Sequence, residues 1–506
     1  MRTKIVLGLL LVLFVATGAM MASRERVAHT APAPQPSVAL SPSSDAGVAP
    51  HGSASAAASG SAGAPEVDAG PVKLMDRTLR VVTLGWDLAA PAVLANGGLD
   101  PVEASDFTAA GVATHLKPVE TMSVIEAALA RGGADKEGAD IAVVPFAALV
   151  ASYERLRALT PEVFFVVGWS RGREAVVSTR DALPSPADKP EGKPGDKGSD
   201  KLAVNMVGAP GEAATFLALF ALDANGVPPS AVHLVAPGDK PDDPALAAVD
   251  RDMPGESARH TILLTTADAS RLVPFVAVAQ HGLIEKNPRA LAAWTRVWLE
   301  ATRKLDGDPP AAARTIAGAP GAPEPLALLK RLGEIAPASL GDNARAFGLS
   351  GRGALTLDAL FQQTWRIWRG AGVLATPVPD AAPINGSVIA SLARSHPSLA
   401  APSVPLKPRA GAQSPDALKA LVTYRQAEGK VDDALLLGTT GLLADVFDRS
   451  VLRVVVANKT GGVDAAATKR LVDDVQERFD VAPGRVTAAK KAPGKVGAAV
   501  EILVAP

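Results

Sequence analysis

The chain of 506 residues contains no cysteine, only 2 tyrosines and almost no net charge, with 51 Lys and Arg against 52 Asp and Glu. The lack of cysteine excludes disulfides, thiolate metal sites, a cysteine nucleophile and the lipid-modified cysteine of bacterial lipoproteins. The balanced charge argues against a nucleic-acid partner. The 7 histidines show no metal-ligand spacing, and no phosphate-binding glycine motif occurs, so the sequence predicts neither a metal nor a cofactor.

The amino terminus has the pattern of an export signal. Arg2 and Lys4 precede an apolar run, and small residues close residues 1–22, which predicts a signal peptide or a signal-anchor. Residues 23–72 are rich in Ala, Pro and Ser and predict a disordered linker, because they offer little to bury. We expect an exported chain whose only membrane contact is the segment 5–22, cleaved or kept as an anchor.

Residues 73–376 alternate short apolar runs with helical patterns, which is typical of α/β proteins with covered sheets. Residues 200–235 are the clearest unit: an apolar run, a glycine turn, a helical segment and a second apolar run predict one βαβ unit. The helix after Gly211 would point its free N–H groups at a crevice where ligands bind. Residues 237–254, with Asp250, predict an exposed loop.

Three motifs in this region resemble a known family. They are the leucine, glycine and Asp-Ile-Ala pattern of residues 128–142, the strand and glycine turn of residues 201–211, and residues 283–288 before a helix. The region resembles the type 2 periplasmic solute-binding proteins of the aliphatic-sulfonate, nitrate and thiamine-precursor group. The resemblance implies two α/β lobes that close on a small solute, delivery to an ABC transporter permease, a periplasmic location and no catalysis.

The loops that follow the predicted strands are the expected ligand-binding elements. Trp86 and Trp169 each come directly after a strand, where they would stack on a ligand or plug the interface between lobes. Glu212 lies in the first turn after Gly211 and would repel an anion, so the ligand is zwitterionic, cationic or neutral. The predicted ligand-binding residues are Trp86, Asp87, Pro145, Phe146, Trp169, Ser170, Gly211, Glu212, Ala213, Thr266 and Asp268.

Residues 168–172 also match G-x-S-x-G, the nucleophile elbow of α/β-hydrolases, with Ser170 as the nucleophile. That motif requires a helix after the serine. Residues 173–180 contain Val176 and Val177 and predict a strand instead. A hydrolase that uses Ser170 with His260 or His281 as base is therefore the least favoured alternative.

Residues 377–429 predict a linker with short helices, including one over residues 416–426, and residues 430–506 predict a small β-α-β-β domain. Residues 454–461, 484–486 and 500–502 resemble the outer-membrane protein A-like domain, which implies peptidoglycan as a partner. The family's ligand-holding Asp and Arg fall on Thr460 and Leu471 here, so we expect a degenerate domain with little peptidoglycan affinity.

The sequence thus predicts a two-lobed periplasmic-binding-protein type 2 fold with a small C-terminal α+β domain. The favoured function is capture of a small polar solute for an ABC-type uptake system. The main alternative is a non-catalytic structural protein of the cell envelope with a vestigial cleft.

Overall fold

The computed structural model describes residues 73–186, 204–237, 246–250, 261–400, 418–458, 460–491 and 496–503. The predicted leader and the linker that follows it lie outside these residues, as does the segment 401–417. Within the described ranges, no helix is both long and apolar enough to cross a bilayer.

The described strands and helices alternate along the chain. The strands are β1 (Leu79–Leu84), β2 (Thr114–Val119), β3 (Ile141–Pro145), β4 (Pro161–Ser170), β5 (Glu174–Ser178), β6 (Val204–Val207), β7 (Val232–Val235), β8 (Leu246–Asp250), β9 (Thr261–Thr265), β10 (Pro274–Gln280), β11 (Ile335–Pro337), β12 (Ala420–Gln426), β13 (Val451–Val456), β14 (Val486–Ala488) and β15 (Ala498–Leu503). The α-helices are α1 (Trp86–Asn96), α2 (Asp106–Ala109), α3 (Met122–Arg131), α4 (Phe146–Leu156), α5 (Ala213–Ala224), α6 (His281–Lys286), α7 (Pro288–Gly307), α8 (Pro309–Ile316), α9 (Pro325–Gly333), α10 (Leu340–Ala346), α11 (Leu357–Gly370), α12 (Ser387–Ser395), α13 (Asp433–Val446) and α14 (Ala465–Phe479).

Two mixed sheets form two lobes. Lobe A is built on a 6-stranded sheet with the order β11-β4-β10-β3-β1-β2, and lobe B on a 5-stranded sheet with the order β7-β6-β8-β5-β9. In lobe A, β1 is parallel to β2 and β3, and β10 is antiparallel to β3 and β4. In lobe B, β6 is parallel to β7 and β8, and β5 is antiparallel to β8 and β9.

The strand order confirms the predicted two-lobed α/β class. In lobe A, β1 lies between β2 and β3, and the antiparallel strand β10 lies next to β3. In lobe B, β6 lies between β7 and β8, and the antiparallel strand β5 lies next to β8. Both β10 and β5 come directly after a crossover from the other lobe. The chain passes from lobe A to lobe B between β4 and β5 and returns between β9 and β10. These two crossovers lie side by side, since the Ser170 N–H donates to the Val273 carbonyl and the Thr266 N–H to the Glu174 carbonyl. A pair of adjacent crossovers is the geometry of a hinge.

Burial explains why the central helices form where they do. Helix α7 begins at Pro288, and its apolar residues recur every three or four positions, so that Leu291, Trp294 and Trp298 are buried on one face. Helix α5 is apolar nearly all round, with every residue from 214 to 222 buried. A helix of that kind needs partners on both sides. The sheet of lobe B covers one side of α5, and α4 and α11 pack on it as well.

The C-terminal module comprises β12 to β15 with α13 and α14. Its 4-stranded sheet has the order β12-β15-β13-β14, in which β13 is parallel to β14 and antiparallel to β15. The predicted helix over residues 416–426 is wrong, because Ala420–Gln426 forms edge strand β12 and pairs with β15. The β-branched and aromatic run Val422-Thr423-Tyr424 favours this outcome. The module's sheet therefore begins within the stretch that was predicted as a linker.

Other predictions for the middle region have mixed outcomes. The βαβ unit is confirmed as β6, α5 and β7 with parallel strands. The exposed loop predicted over residues 237–254 is wrong at Leu246–Asp250, which forms strand β8 between β6 and β5. Its small apolar residues are buried between two neighbouring strands, and the flanking Pro and Asp residues hide that pattern in the sequence.

Candidate functional site

The loops at the carboxyl ends of the parallel strands bring charged side chains from both lobes together. Asp87, in the first turn of α1, is 5% exposed, and its carboxylate lies 2.6 Å from the guanidinium of Arg173 at the first crossover. Gly85 precedes this turn with φ 92, and a Cβ there would lie 2.6 Å from Asp87 Oδ1. Glycine is therefore required for the turn that brings Asp87 to Arg173.

A second ion pair joins the lobes directly. Arg331, near the end of α9 in lobe A, lies 2.9 Å from Asp250 at the end of β8 in lobe B. The same guanidinium is 3.6 Å from Glu334. Burial lowers the pKa of Arg331, but the bond to Asp250 and the charges of Glu334 and Asp87 outweigh it and raise that pKa overall. Asp87 is thus close enough to link the two pairs into one cluster.

Glu212 completes the cluster from lobe B. It is the N-cap residue of α5 and is exposed. Partial loss of solvation raises its pKa, the charge of Asp250 adds to the rise, and a backbone hydrogen bond from Ala209 opposes it. We call Asp87, Arg173, Glu212, Asp250, Arg331 and Glu334 the cleft cluster. Its carboxylates outnumber its guanidinium groups, and every guanidinium already has a carboxylate partner.

Ser170 and Thr266 meet at the hinge, beneath the cleft. Ser170 is fully buried, and its Oγ donates to the carboxylate of Glu174 and lies 3.0 Å from Thr266 Oγ1. Thr266 Oγ1 donates to Glu174 Oε2 at 2.9 Å and accepts from the Gly172 N–H at 2.9 Å. Burial raises the pKa of Glu174, and the hydrogen bonds from Ser170 and Thr266 and the charge of Arg173 oppose this rise. The hydroxyls hold the two crossovers together through this carboxyl.

This arrangement disfavours the nucleophile-elbow hypothesis. Strand β5 follows Ser170, as the sequence predicted, and supplies no helix to form an oxyanion hole. Among the described residues, His281 pairs with Glu162 and Glu285 and makes no contact with Ser170. His260 lies outside the described residues.

The remaining predicted ligand-binding residues occupy several different environments. Trp86 is half-buried beside the segment at Gly321, whose Cβ would lie 3.8 Å from the indole. Trp169 lies within β4 and not after a strand as predicted, and it is 6% exposed under the guanidinium of Arg271, 4.2 Å from the ring centroid. Asp268 accepts from the N–H and Oγ1 of Thr265 in a local turn.

Near lobe B, Gly211 and Ala213 flank Glu212 at the start of α5, and a Cβ on Gly211 would lie 3.4 Å from that of Ala151 on α4. Pro145 is the N-cap of α4, and Phe146 is 1% exposed with its ring edge-on to Phe361 at 6.5 Å. The structure therefore brings Asp87 and Glu212 into one cluster and buries Phe146 and Ser170 among protein atoms. Ligand binding by these residues remains a prediction.

Four members of the cleft cluster lack a clear local signal in the sequence. Arg173, Asp250, Arg331 and Glu334 were not among the predicted residues, and Asp250 was placed on solvated surface. Apart from the neighbouring pair Arg331 and Glu334, their partners are distant in sequence, and Arg331 and Asp250 are 81 positions apart. The one weak local signal is the position of Asp250 at the end of the short apolar run that forms β8. Within the described ranges, no group of three or more His, Asp or Glu residues is arranged to hold a metal ion.

Comparisons with known proteins find similarity only at the level of structure. No family model and no curated protein matches the chain. The aliphatic sulphonate binding protein SsuA of Escherichia coli is 15% identical, over 60% of this chain and 89% of that one, with a TM-score of 0.39. The alkanesulfonate-binding protein SsuA of Xanthomonas axonopodis pv. citri, bound to MOPS, is 13% identical, over 61% of this chain and 98% of that one, with a TM-score of 0.39.

Two further neighbours differ in their described roles. A Candida albicans gene product with the generic periplasmic binding protein fold is 12% identical, over 63% of this chain and 95% of that one, with a TM-score of 0.37. The desulfurization enzyme DSZB is 11% identical, over 63% of this chain and 99% of that one, with a TM-score of 0.36. Because the similarity is this low, the fold of the present chain is assigned from its own strand order and crossovers.

Proposed function

We propose that the protein is an exported solute-binding protein that captures a small polar solute between its lobes for an ABC-type uptake system, without catalysing a reaction. The observation that carries the proposal is the cleft cluster. Side chains from lobe A, lobe B and the first crossover converge where the parallel strands of both sheets end. Ligands of α/β sheets bind at such edges, and adjacent crossovers permit closure around them.

The chemistry of the cluster favours a cationic or zwitterionic solute. Arg173 and Arg331 each bind a carboxylate at 2.6 and 2.9 Å, so a free anion would have to displace a carboxylate from one of them. Glu212 offers a carboxylate whose pKa is raised, first by partial loss of solvation and then by the negative charge of Asp250. An ammonium group would supply a compensating positive charge. Trp86, which precedes Asp87 in the first turn of α1 and is half-buried, is proposed to cover the apolar part of the solute.

Thermal unfolding with a panel of solutes tests this function. A bound solute raises the midpoint according to RT ln(1 + [L]/Kd), which amounts to about 2.7 kcal/mol at a hundredfold excess over Kd. We expect a shift with at least one amine or amino acid and none with sulfate or simple carboxylates. Polyamines, amino acids, sugars, sulfonates, sulfate and simple carboxylates form the panel. No shift with any of them would contradict the proposal.

A second candidate function follows from the packing between the lobes. Helix α11 packs against both α4 of lobe A and α5 of lobe B. Trp368 on α11 is fully buried and lies 5.9 Å from the Phe216 ring of lobe B. Such packing suits an envelope structural protein with fixed lobes and a vestigial cleft. That protein would show neither a thermal shift nor a change of interlobe distance with any solute.

The proposal extends to the N-terminal leader and the C-terminal module. The leader would hold the protein in the periplasm or cell envelope, through residues 5–22 where it is not cleaved. The position of the peptidoglycan-binding Arg in the resembled family is Leu471, which is 7% exposed and packs in the module's core. Thr460 hydrogen-bonds locally, through its N–H and its hydroxyl to Asn458 Oδ1. We therefore propose weak or no peptidoglycan binding, and firm, lysine-competable retention of the full chain on purified sacculi would contradict this.

A further inference from the structure

The C-terminal module contacts lobe B through its edge strand. The Thr423 N–H on β12 donates to Asn225 Oδ1 at 3.0 Å, and both residues are 7% exposed. Asn225 ends helix α5, and its Nδ2 donates to the Pro184 carbonyl at 2.9 Å, in the segment that follows β5. One amide side chain therefore ties the module to two separate parts of lobe B. Buried hydrogen bonds of this kind are costly to break, because their partners are left without water.

The opposite end of the module contacts the second crossover. Ser270 Oγ donates to the carboxylate of Asp448, and Arg271 Nε donates to the same carboxylate at 3.2 Å. The backbone N–H of Arg271 also donates to the Val446 carbonyl at 3.2 Å. The guanidinium of Arg271 reaches Asp342 of lobe A at 3.2 Å. The hinge segment between β9 and β10 is thus held by the module and by lobe A together.

A third set of contacts joins the module to the helices of lobe A. Asp445 accepts a hydrogen bond of 2.9 Å from the N–H of Leu355, which lies just before α11. Asp480 lies 3.4 Å from Arg345 on α10, in an exposed ion pair. The module and lobe A also enclose a pocket, lined on the lobe A side by Trp169 and on the module side by Asp445 and Asp448.

The corner of the module that makes these contacts is internally braced. Arg485 is 9% exposed and donates to the carbonyls of Ala444 at 2.8 Å and Phe447 at 2.7 Å, at the end of α13. A cation there complements the helix terminus. Because Arg485 fixes this corner to β14, Asp445 and Asp448 move with the module's sheet. Their contacts and the Thr423 contact therefore belong to one rigid body that bridges the lobes.

We infer that the C-terminal module is an intramolecular clamp that holds the two lobes together, so that they separate only when the module leaves its seat on the second crossover or on lobe B. Rotation of the lobes about the crossovers changes the separation between Asn225 of lobe B and Leu355 of lobe A, both of which contact the module. A rigid module cannot follow both residues, so one set of contacts must break. This inference goes beyond the proposed function, because it requires no solute.

Distance measurement between the lobes tests the clamp. The chain has no cysteine, so Ser123→Cys in lobe A and His233→Cys in lobe B, both at exposed positions, accept spin labels specifically. The release variant is Asp448→Ala with Asn225→Ala in the full chain. We expect one narrow distance distribution in the parent and an added, longer population in the release variant, each measured without solute by double electron–electron resonance.

The matched control is Asp473→Ala, which removes a carboxylate from an exposed pair with Lys469 on α14, away from these contacts. It should leave the distribution unchanged. If the double variant does not fold, Asp448→Asn replaces it. This substitution keeps the side-chain shape and should give a smaller long-distance population. A distribution unchanged in every folded release variant would overturn the clamp. That result leaves the solute-binding proposal standing, whereas a thermal panel without shifts leaves the clamp standing.

Discussion

The indole Nε1–H of Trp368 donates a hydrogen bond of 3.0 Å to the backbone carbonyl of Ala147. Trp368 lies on α11 and Ala147 in the first turn of α4, so the bond joins α11 to lobe A at the carboxyl end of β3. The same indole ring packs on lobe B. One side chain therefore takes part in both halves of the interlobe contact.

Trp368→Ala should destabilise the protein by about 3–5 kcal/mol, because it removes a fully buried aromatic ring and leaves a cavity between the lobes. Trp368→Phe keeps most of the ring and should cost about 1–2 kcal/mol, chiefly through the lost bond to Ala147. Urea unfolding measures both. Leu435→Ala is the control, since Leu435 is 55% exposed and its truncation should cost less than about 0.5 kcal/mol. Equal losses in all three variants would contradict the bridging role.

The two ion pairs of the cleft cluster should differ in their contribution to stability. Asp87 is 5% exposed, so Asp87→Asn leaves Arg173 without its charge partner and should cost about 2 kcal/mol. Arg331 and Asp250 are 34% and 35% exposed, and solvent screens their attraction. Arg331→Gln should therefore cost less than about 1 kcal/mol. Urea unfolding at low and high salt measures both losses of unfolding free energy. A larger loss for Arg331→Gln than for Asp87→Asn would contradict the greater contribution of the buried pair.

Glu174 should make stability depend on pH. Burial raises its pKa in the folded protein above the ordinary value of 4.5 that the unfolded chain retains. The unfolded state then loses the proton first, so the free energy of unfolding falls as pH rises from about 4.5 toward the folded pKa. Glu174→Gln removes this fall and should be the more stable protein at pH 7. Thermal unfolding from pH 4 to 8 measures the difference, and parallel profiles of the two proteins would contradict it.

Ser170 should be structural rather than nucleophilic. Its hydroxyl is fully buried and donates to Glu174, so the wild-type protein should not hydrolyse p-nitrophenyl esters above the rate in buffer. Ser170→Ala should lower stability by about 1–2 kcal/mol, since Glu174 and Thr266 lose a buried partner. Turnover that disappears in Ser170→Ala would establish the hydrolase alternative.

Local patterns in the sequence were sufficient for much of the fold. The apolar run of β1, the periodicity of α7 and the glycine turn at Gly211 each predict the element that forms. Strand β8 is not predictable from the sequence, because its Leu-Ala-Ala-Val-Asp segment is short and flanked by Pro and Asp residues. Strand β12 was mistaken for a helix because its apolar positions are spaced ambiguously.

The candidate site was predictable only in part. Asp87 and Glu212 follow strand and turn signals that the sequence displays, and the structure joins both to one cluster. Arg331 has no such signal, because its partner Asp250 is brought near by the relative position of the lobes. The burial of Phe146 likewise depends on Phe361, which belongs to a helix more than two hundred residues later. Contacts of that range come from tertiary packing, which periodicity does not encode.

Isothermal titration calorimetry with the solute that gives the largest thermal shift tests the central claim, that the cleft between the lobes is the binding site. The titration compares the parent with Glu212→Gln in the cleft cluster and with Asp473→Asn on α14 as a distant control. We predict one solute per chain, at least tenfold weaker binding by Glu212→Gln, and unchanged binding by Asp473→Asn. Binding of equal strength by Glu212→Gln and the parent would contradict the assignment of the cleft.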